Sequence, residues 1–98
     1  MIDERDVEQY LRRRVSDAGG MCLKFSPENK QGMPDRLVLL PGSRVAWVEL
    51  KKPKGGKLSV IQAHRHRELR ALGFHAYVCW SKEDADDIVD LLTDEDFE

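Results

Sequence analysis

Two short apolar segments joined by a tight link are the feature that most constrains the fold of this chain. Arg36 to Leu40 and Val45 to Leu50 are rich in Val and Leu, and Pro41-Gly42-Ser43-Arg44 lies between them. Such segments are typical of β-strands. Because parallel strands need a crossover of a dozen or more residues, this link predicts an antiparallel hairpin.

The residues before the hairpin predict a helix and one further strand. Apolar residues recur at helical spacing from about residue 3 to 18, and Gly19-Gly20 ends the pattern. The residues of this stripe are Val7, Leu11, Val15 and Ala18. Met21 to Phe25 is a short apolar run that fits a strand, and residues 26–34 are rich in turn formers and predict a loop.

The residues after the hairpin predict a second helix, a fourth strand and a third helix. A basic loop, residues 52–57, comes first, and Ser59 then opens a helix that Gly73 ends. The apolar and aromatic residues that suggest this helix are Val60, Ile61, His64, Leu69 and Leu72. Phe74 to Trp80 fits a strand, and Ser81 is a good N-cap for the last helix. The apolar face of that helix consists of Ala85, Ile88, Val89 and Leu92.

The order of elements is therefore α-β-β-β-α-β-α, and the fold class is α/β. A helix between strands three and four predicts that these two strands are parallel, so the central sheet is mixed and flanked by helices. The chain has 98 residues, and we expect residues 1–98 to form a single domain.

Charge and hydropathy limit the possible functions. The first 82 residues carry an excess of seven positive charges, whereas the last 16 hold nine acids and no base. A basic body suggests a polyanionic partner such as nucleic acid. No apolar run approaches the roughly 20 residues that span a bilayer, and the N-terminus is charged. We therefore expect a cytoplasmic protein without a membrane partner.

The cysteines and histidines do not form a metal-binding pattern. Cys22 and Cys79 each lie in an apolar stretch without a neighbouring CxxC motif, so we predict free thiols rather than a disulfide or a zinc site. His64 and His66 are two residues apart on a helix, which is poor geometry for a shared metal ion. We interpret these histidines and His75 as structural or DNA-facing.

Asp35, Glu49 and Lys51 are the residues most suggestive of catalysis. Asp35 precedes one strand of the hairpin, and Glu49 and Lys51 lie at the end of the other. Alternation along a strand puts Glu49 and Lys51 on one face and Leu50 on the opposite face. The hairpin should bring Asp35 close to them, so two carboxylates and an ammonium meet at one edge of the sheet.

Clustered carboxylates repel each other unless a cation lies between them, and Mg²⁺ prefers such oxygen ligands. A divalent cation promotes phosphodiester hydrolysis, and a lysine can orient the attacking water or stabilise the charged transition state. Each dipeptide also has a simple structural explanation. Pro-Asp is common in turns, and Glu-X-Lys is often a solvated pair; it is their combination at this spacing that favours a catalytic role.

These residues carry a resemblance to a known family. The pattern P-D-x13-E-x-K is similar to the PD-(D/E)XK nuclease superfamily. The segments G-M-P-D-R-L-V-L-L, W-V-E-L-K-K-P and L-S-x-x-Q resemble, more narrowly, the stand-alone VRR-NUC domain of phages and bacteria. The resemblance covers nearly the whole chain and implies a restriction endonuclease-like core.

The resemblance also implies ligands and partners. An acid on the first helix completes the metal site in this family; Glu8 is the matching position, and Glu4, one turn earlier, is the alternative. It implies that the Leu50 carbonyl is a further ligand of Mg²⁺ or Mn²⁺ and that Gln62 supports Lys51. The implied substrate is a Holliday junction or related branched DNA, and the implied active form is a homodimer without a small-molecule cofactor.

Several basic residues are expected to contact DNA phosphates, and surface solvation is the simpler explanation for each taken singly. They are Lys52, Lys54, Lys57, Arg65 and the run Arg12, Arg13 and Arg14. Trp47 and Trp80 lie within predicted strands and are interpreted as core or interface residues. Trp80, Val78 or the apolar rim of the helices could form a dimer seam.

Three alternatives to a junction-resolving nuclease remain open. One is a nuclease of the same fold that cuts flap or nicked duplex DNA. Another is a non-catalytic DNA-binding module, although a pure binder has no need of clustered carboxylates facing phosphates. The last is a small dimeric structural protein whose charges are solvated.

Overall fold

A computed structural model describes residues 1–26 and 30–98 and has the predicted order of elements. The helices are α1 (Glu4–Asp17), α2 (Val60–Ala71) and α3 (Lys82–Thr93). The strands are β1 (Met21–Lys24), β2 (Arg36–Leu40), β3 (Arg44–Leu50) and β4 (His75–Cys79). The α/β class and the α-β-β-β-α-β-α order are confirmed. The predicted loop 26–34 includes residues 27–29, which lie outside the described residues.

The strands form one mixed sheet in the order β1-β2-β3-β4. The hairpin is confirmed: β2 and β3 are antiparallel, and Leu40 pairs with Arg44 at its closed end. Gly42 and Ser43 turn the chain with φ angles of 84° and 60°. β3 and β4 are parallel, as the intervening helix predicts, and Leu50 pairs with Cys79 at the end of both strands.

The hydrophobic core lies on the sheet face covered by α1 and α3. Val38 on β2 and Ala46 and Val48 on β3 are fully buried there, because every second residue of a strand points to the same face. The predicted apolar stripes supply the helical side of the core, namely Val7, Leu11 and Val15 of α1 and Ala85, Ile88, Val89 and Leu92 of α3. The opposite face of the sheet is left for α2 and for the odd-numbered residues of β3, which include Glu49.

A polar network joins α1 to α3 at the edge of this core. Arg14 forms ion pairs with Asp86 and Asp90, and the Tyr10 hydroxyl donates to the Asp86 carboxylate at 2.7 Å. Arg14 is therefore engaged within the fold, unlike its exposed neighbours Arg12 and Arg13. Phosphate contacts were expected for all three arginines of this run. Arg14 is engaged by Asp86 and Asp90, whereas Arg12 and Arg13 remain exposed.

The helix α2 has the predicted bounds, but the side that it buries is not the side on which the sequence places Val60 and Leu72. Val60 and Leu72 are 87% and 73% exposed, whereas His66 is 2% exposed and faces inward with Leu69. Neither ring nitrogen of His66 has a hydrogen-bond partner within residues 1–26 and 30–98, and burial lowers the pKa of this imidazole. His66 is thus a buried neutral residue of the packing between α2 and the sheet.

The cysteine prediction is confirmed, since Cys79 is buried, Cys22 is half-buried and both are free thiols. Within residues 1–26 and 30–98, no helix has the length and apolar character needed to cross a membrane.

Candidate active site

Two carboxylates meet at the open end of the hairpin. Asp35 directly precedes β2, and Glu49 is the penultimate residue of β3. The Leu50 backbone N–H donates to Asp35 Oδ1 at 3.1 Å, which holds the Asp35 side chain across the end of β3. Glu49 is only 4% exposed. The convergence of these two acids follows from the antiparallel pairing of β2 and β3.

Lys51 follows β3 and lies on the same side of the sheet as Glu49. Its Nζ is 3.7 Å from Glu49 Oε2, and its side chain is 19% exposed. Its backbone N–H donates to the Cys79 carbonyl at 3.1 Å, so the pairing of β3 with β4 extends to this residue. The lysine is therefore fixed at its backbone while its ammonium group faces the Glu49 carboxylate.

Gln62 connects the first turn of α2 to Glu49. Ser59 and Gln62 form a capping box, in which the Gln62 side-chain oxygen accepts from the Ser59 N–H at 2.9 Å. The amide nitrogen of the same side chain donates to Glu49 Oε2 at 3.2 Å. Because the cap occupies the oxygen of the amide, its NH₂ group faces Glu49.

Burial raises the pKa values of both acids. Burial, and next the negative charge of Asp35, raise the pKa of Glu49 to about 7, while the nearby Lys51 ammonium opposes this rise. Burial also raises the pKa of Asp35, against the stabilising N–H group of Leu50. The pair therefore holds a proton more readily than two exposed carboxyls would.

The donor set fits a hard divalent cation. Oε1 of Glu49 is buried and has no hydrogen-bond partner among the described residues, which is unfavourable unless a cation or proton satisfies it. Asp35 supplies a second carboxylate next to it, and such oxygen atoms are preferred ligands of Mg²⁺ and Mn²⁺ in proteins. In the part of the chain that the structure describes, no group of three His, Cys, Asp or Glu side chains has the spacing of a complete metal site.

Glu8, the acid expected from the first helix, has a different partner. Its Oε1 accepts from the Arg36 guanidinium at 2.5 Å, and its side chain is 32% exposed. Glu4 lies one turn earlier on α1, is half-buried, and has no ion pair among the described residues. Glu8 therefore lies near the sheet edge but is held by Arg36 rather than gathered with Asp35 and Glu49.

Comparison with known proteins identifies the family. No model of a known protein family matches the sequence. A protein named "Putative nuclease p44", from Acyrthosiphon pisum secondary endosymbiont phage 1, is 37% identical over 83 residues, which are 85% of this chain and 88% of that protein. A solved structure described as a VRR_NUC domain superposes with a TM-score of 0.82 at 32% identity and covers 89% of this chain and 94% of its own. This chain belongs to the VRR-NUC nuclease family.

The residues expected at the active site divide into two groups in the structure. Asp35, Glu49 and Lys51 form one continuous cluster, which Gln62 joins through its bond to Glu49. Gln62 contacts Glu49 rather than Lys51, so any support that it gives the lysine passes through that carboxylate. Glu8 stands apart from this cluster on Arg36.

The basic residues expected at the VRR-NUC domain surface also differ in their surroundings. Arg12 and Arg13 are exposed and line a groove beside β1. Lys52 and Lys54 are exposed and line a second groove with residues 1–5, and Lys57 is exposed on the same loop. Arg65, in contrast, donates to the Gln31 carbonyl at 2.8 Å and pairs with Glu68. Its guanidinium is engaged within the chain.

Trp80 and Gly56 shape the site without having been singled out for it. The Trp80 indole N–H donates to the Gly56 carbonyl at 2.9 Å, which ties the basic loop to the end of β4. A Cβ on Gly56 would lie 2.6 Å from the Lys52 carbonyl oxygen and 3.0 Å from Lys51 Cβ. The loop therefore folds closely against Lys51, and Gly55-Gly56 was the sequence signal for this close approach.

The raised pKa of Glu49 predicts a pH-dependent stability in metal-free protein. A carboxyl whose pKa rises from 4.5 to about 7 on folding binds a proton more tightly in the folded state. The contribution of this carboxyl to folding stability is therefore complete below pH 4.5, and it is lost as the pH rises through the folded-state pKa of about 7. Between about pH 5 and 8, the wild type should therefore lose stability relative to Glu49→Gln. Urea unfolding in the presence of a chelator measures this difference.

The matched control is Glu68→Gln, because Glu68 is exposed and its pKa is lowered rather than raised. The free energy of unfolding of Glu68→Gln, plotted against pH, should run parallel to that of the wild type over the same pH range. Parallel profiles for the wild type and Glu49→Gln would show that Glu49 is already ionised in the folded protein at pH 5.

Proposed function

We propose that this chain is a divalent-metal-dependent DNA endonuclease that hydrolyses phosphodiester bonds in branched DNA, with Holliday junctions as its substrate and a homodimer as its active form. The observation that carries the proposal is the cluster of Asp35, Glu49 and Lys51. A buried carboxylate, a half-buried one and an ammonium group lie together at one sheet edge, and one Glu49 oxygen has no hydrogen-bond partner among the described residues. Membership of the VRR-NUC family supports the same activity.

The residues that would hold Mg²⁺ or Mn²⁺ are Asp35, Glu49, the Leu50 carbonyl and Glu8. A divalent cation supplies positive charge that polarises the phosphoryl oxygen and offsets charge on the leaving oxygen. Lys51 orients the attacking water and stabilises the negative charge that develops on the phosphate. Gln62 fixes the Glu49 carboxylate through the amide that also caps α2.

Binding to DNA is assigned to the exposed basic residues. Arg12 and Arg13 in one groove, and Lys52, Lys54 and Lys57 on the loop after β3, are exposed and able to contact phosphates. The loop leads directly from Lys51, so phosphate contacts on it would position DNA against the cluster. Arg65 contributes to the fold through Gln31 and Glu68, and we omit it from the proposed contacts.

A homodimer would place two such clusters on one substrate. The described part of each chain has one such cluster, which would cut one strand, whereas symmetric resolution of a four-way junction needs two cuts related by a two-fold axis. The structure offers exposed apolar side chains for a dimer seam. Val60 at the start of α2, Leu72 at its C-cap and Phe74 after it are 87%, 73% and 50% exposed.

The chemistry of the site argues against the non-catalytic alternatives. Buried carboxylates that face phosphates oppose DNA binding unless a cation neutralises them. A structural protein with solvated charges would leave Glu49 exposed, whereas it is 4% exposed. A nuclease of this fold that cuts flap or nicked duplex DNA shares the same cluster, so substrate preference is the point that experiment must decide.

The first test is the requirement for a cation. Cleavage of a fluorescent four-way junction should need Mg²⁺ or Mn²⁺ and should stop on chelation. Asp35→Asn and Glu49→Gln should abolish cleavage while leaving the circular dichroism spectrum unchanged, and Asp87→Asn, an exposed acid of α3, should remain active. Full activity in excess EDTA would refute the proposed chemistry.

The second test separates catalysis from binding at Lys51. Lys51→Ala should lower the single-turnover rate at saturating DNA by about a hundredfold or more, because it removes a charge that acts on the transition state. DNA affinity should fall much less. Lys52→Ala is the matched control, since its side chain is exposed and its loss should weaken binding while leaving the saturated rate nearly unchanged. A near-normal rate for Lys51→Ala would contradict the assignment.

The third test concerns substrate and assembly. Sedimentation in dilute solution should give twice the chain mass, and a fixed four-way junction should be cut at two symmetric positions. Flap, nicked and linear duplex DNA should be cut more slowly under the same conditions. A monomer that nicks one arm without a symmetric second cut would exclude junction resolution and leave the metal-dependent nuclease in place.

A further inference from the structure

Arg36 is a buried cation beside the candidate active site. It is the first residue of β2, follows Asp35 directly and is 7% exposed. Its side chain lies on the face covered by α1, as do Val38 and Leu40 further along the strand. A buried guanidinium requires an anionic partner, and Glu8 of α1 provides it.

The charges around the sheet edge are paired unevenly. Of the three carboxylates proposed as ligands, Glu8 is held by Arg36 and Glu49 lies near Lys51. Asp35 accepts a backbone N–H instead, and the positive charge of Arg36 opposes the rise in its pKa. With all five side chains ionised, the group has a net charge of minus one. Adding a divalent cation therefore leaves an excess of one positive charge, which a DNA phosphate would balance.

The Arg36 pair has a consequence for Glu8 as a ligand. A carboxylate that accepts a charge-assisted hydrogen bond from arginine has part of its negative charge already neutralised, so it attracts a cation less strongly. Glu8 is also not gathered with Asp35 and Glu49 in the described residues. Joining them requires its bond to Arg36 to weaken or break.

We propose that Arg36 competes with the divalent cation for the Glu8 carboxylate and so sets the affinity of the site for that cation. Arg36 is thus a positioning residue that acts through Glu8. The inference rests on the proposed function, because it needs a cation at Asp35 and Glu49. In this arrangement the free protein holds the cation weakly, and DNA, which supplies the balancing negative charge, tightens its binding.

Equilibrium titration with Mn²⁺, followed by the loss of its free paramagnetic resonance signal, tests the proposal without reference to cleavage. Arg36→Met should bind Mn²⁺ about tenfold more tightly than the wild type, in the range by which residues behind metal ligands alter affinity. The double variant Glu8→Gln with Arg36→Met should return to an affinity near that of the wild type. Arg36→Lys keeps the charge and should show less tightening than Arg36→Met.

Unchanged or weaker binding in Arg36→Met would overturn the proposal. Tightening that persists in the double variant would also overturn it, since Glu8 would then have no part in the effect. Failure of the proposed function has a different signature, namely wild-type Mn²⁺ binding that is unaffected by Asp35→Asn and Glu49→Gln.

A second measurement uses the unaltered protein, in case Arg36→Met does not fold. The guanidinium resonances of ¹⁵N-labelled wild type include one for Arg36, which Arg36→Lys identifies by its absence. Saturation with Mg²⁺ should shift or broaden this resonance as the pair with Glu8 weakens. The exposed Arg12 provides an internal reference, and an Arg36 resonance that does not change on saturation would refute the competition.

Discussion

The burial of Glu49 beside Asp35 is the constraint on which the rest of the site depends. Removal from water raises the pKa values of both carboxyls, and the negative charge of Asp35 raises that of Glu49 further. Such a pair persists in a folded protein only if surrounding groups offset the cost. The hairpin, the capped helix and the adjacent lysine can each be understood as part of that compensation.

Each compensating group comes from a different element. The end of β3 provides the Leu50 N–H for Asp35, the first turn of α2 provides the Gln62 amide for Glu49, and Lys51 approaches the same Glu49 oxygen. The other Glu49 oxygen is buried and has no hydrogen-bond partner in the part of the chain that the structure describes. With one oxygen of each carboxylate hydrogen-bonded in the described part of the chain, the site retains an attraction for an external cation. This residual attraction links the packing of the fold to the proposed chemistry.

The two faces of the sheet differ in the polarity of the side chains that they bury. The face toward α1 and α3 is apolar, and the Arg14 network ties these two helices together at its edge. The face toward α2 carries Glu49 and buries the neutral His66. Because the core on the first face secures the hairpin, the second face can hold polar groups in unfavourable surroundings. Arg36 is an exception, since it brings a charge to the core side and requires Glu8 there.

The sequence by itself determined the order of elements, the hairpin and the common face of Glu49 and Lys51. These features depend on local spacing: a four-residue link permits one strand pairing, and alternation along a strand is fixed by the backbone. The apolar stripes of α1 and α3 also depend on local spacing, and the residues of these helices that are buried in the core belong to those stripes. The motif L-S-x-x-Q even contained the capping box, although its second bond to Glu49 could not be seen there.

Only the tertiary structure decided which partners the charged and polar side chains take. Glu8 and Arg36 are 28 positions apart, and Arg14 and Asp86 are 72 apart, so no periodicity relates them. The buried side of α2 was likewise decided by the sheet beneath it, which accepts His66 and leaves Val60 in solvent. Local patterns specify backbone conformation because that conformation is set by near neighbours. Pairing between distant side chains depends on how the elements pack, which is a property of the whole fold.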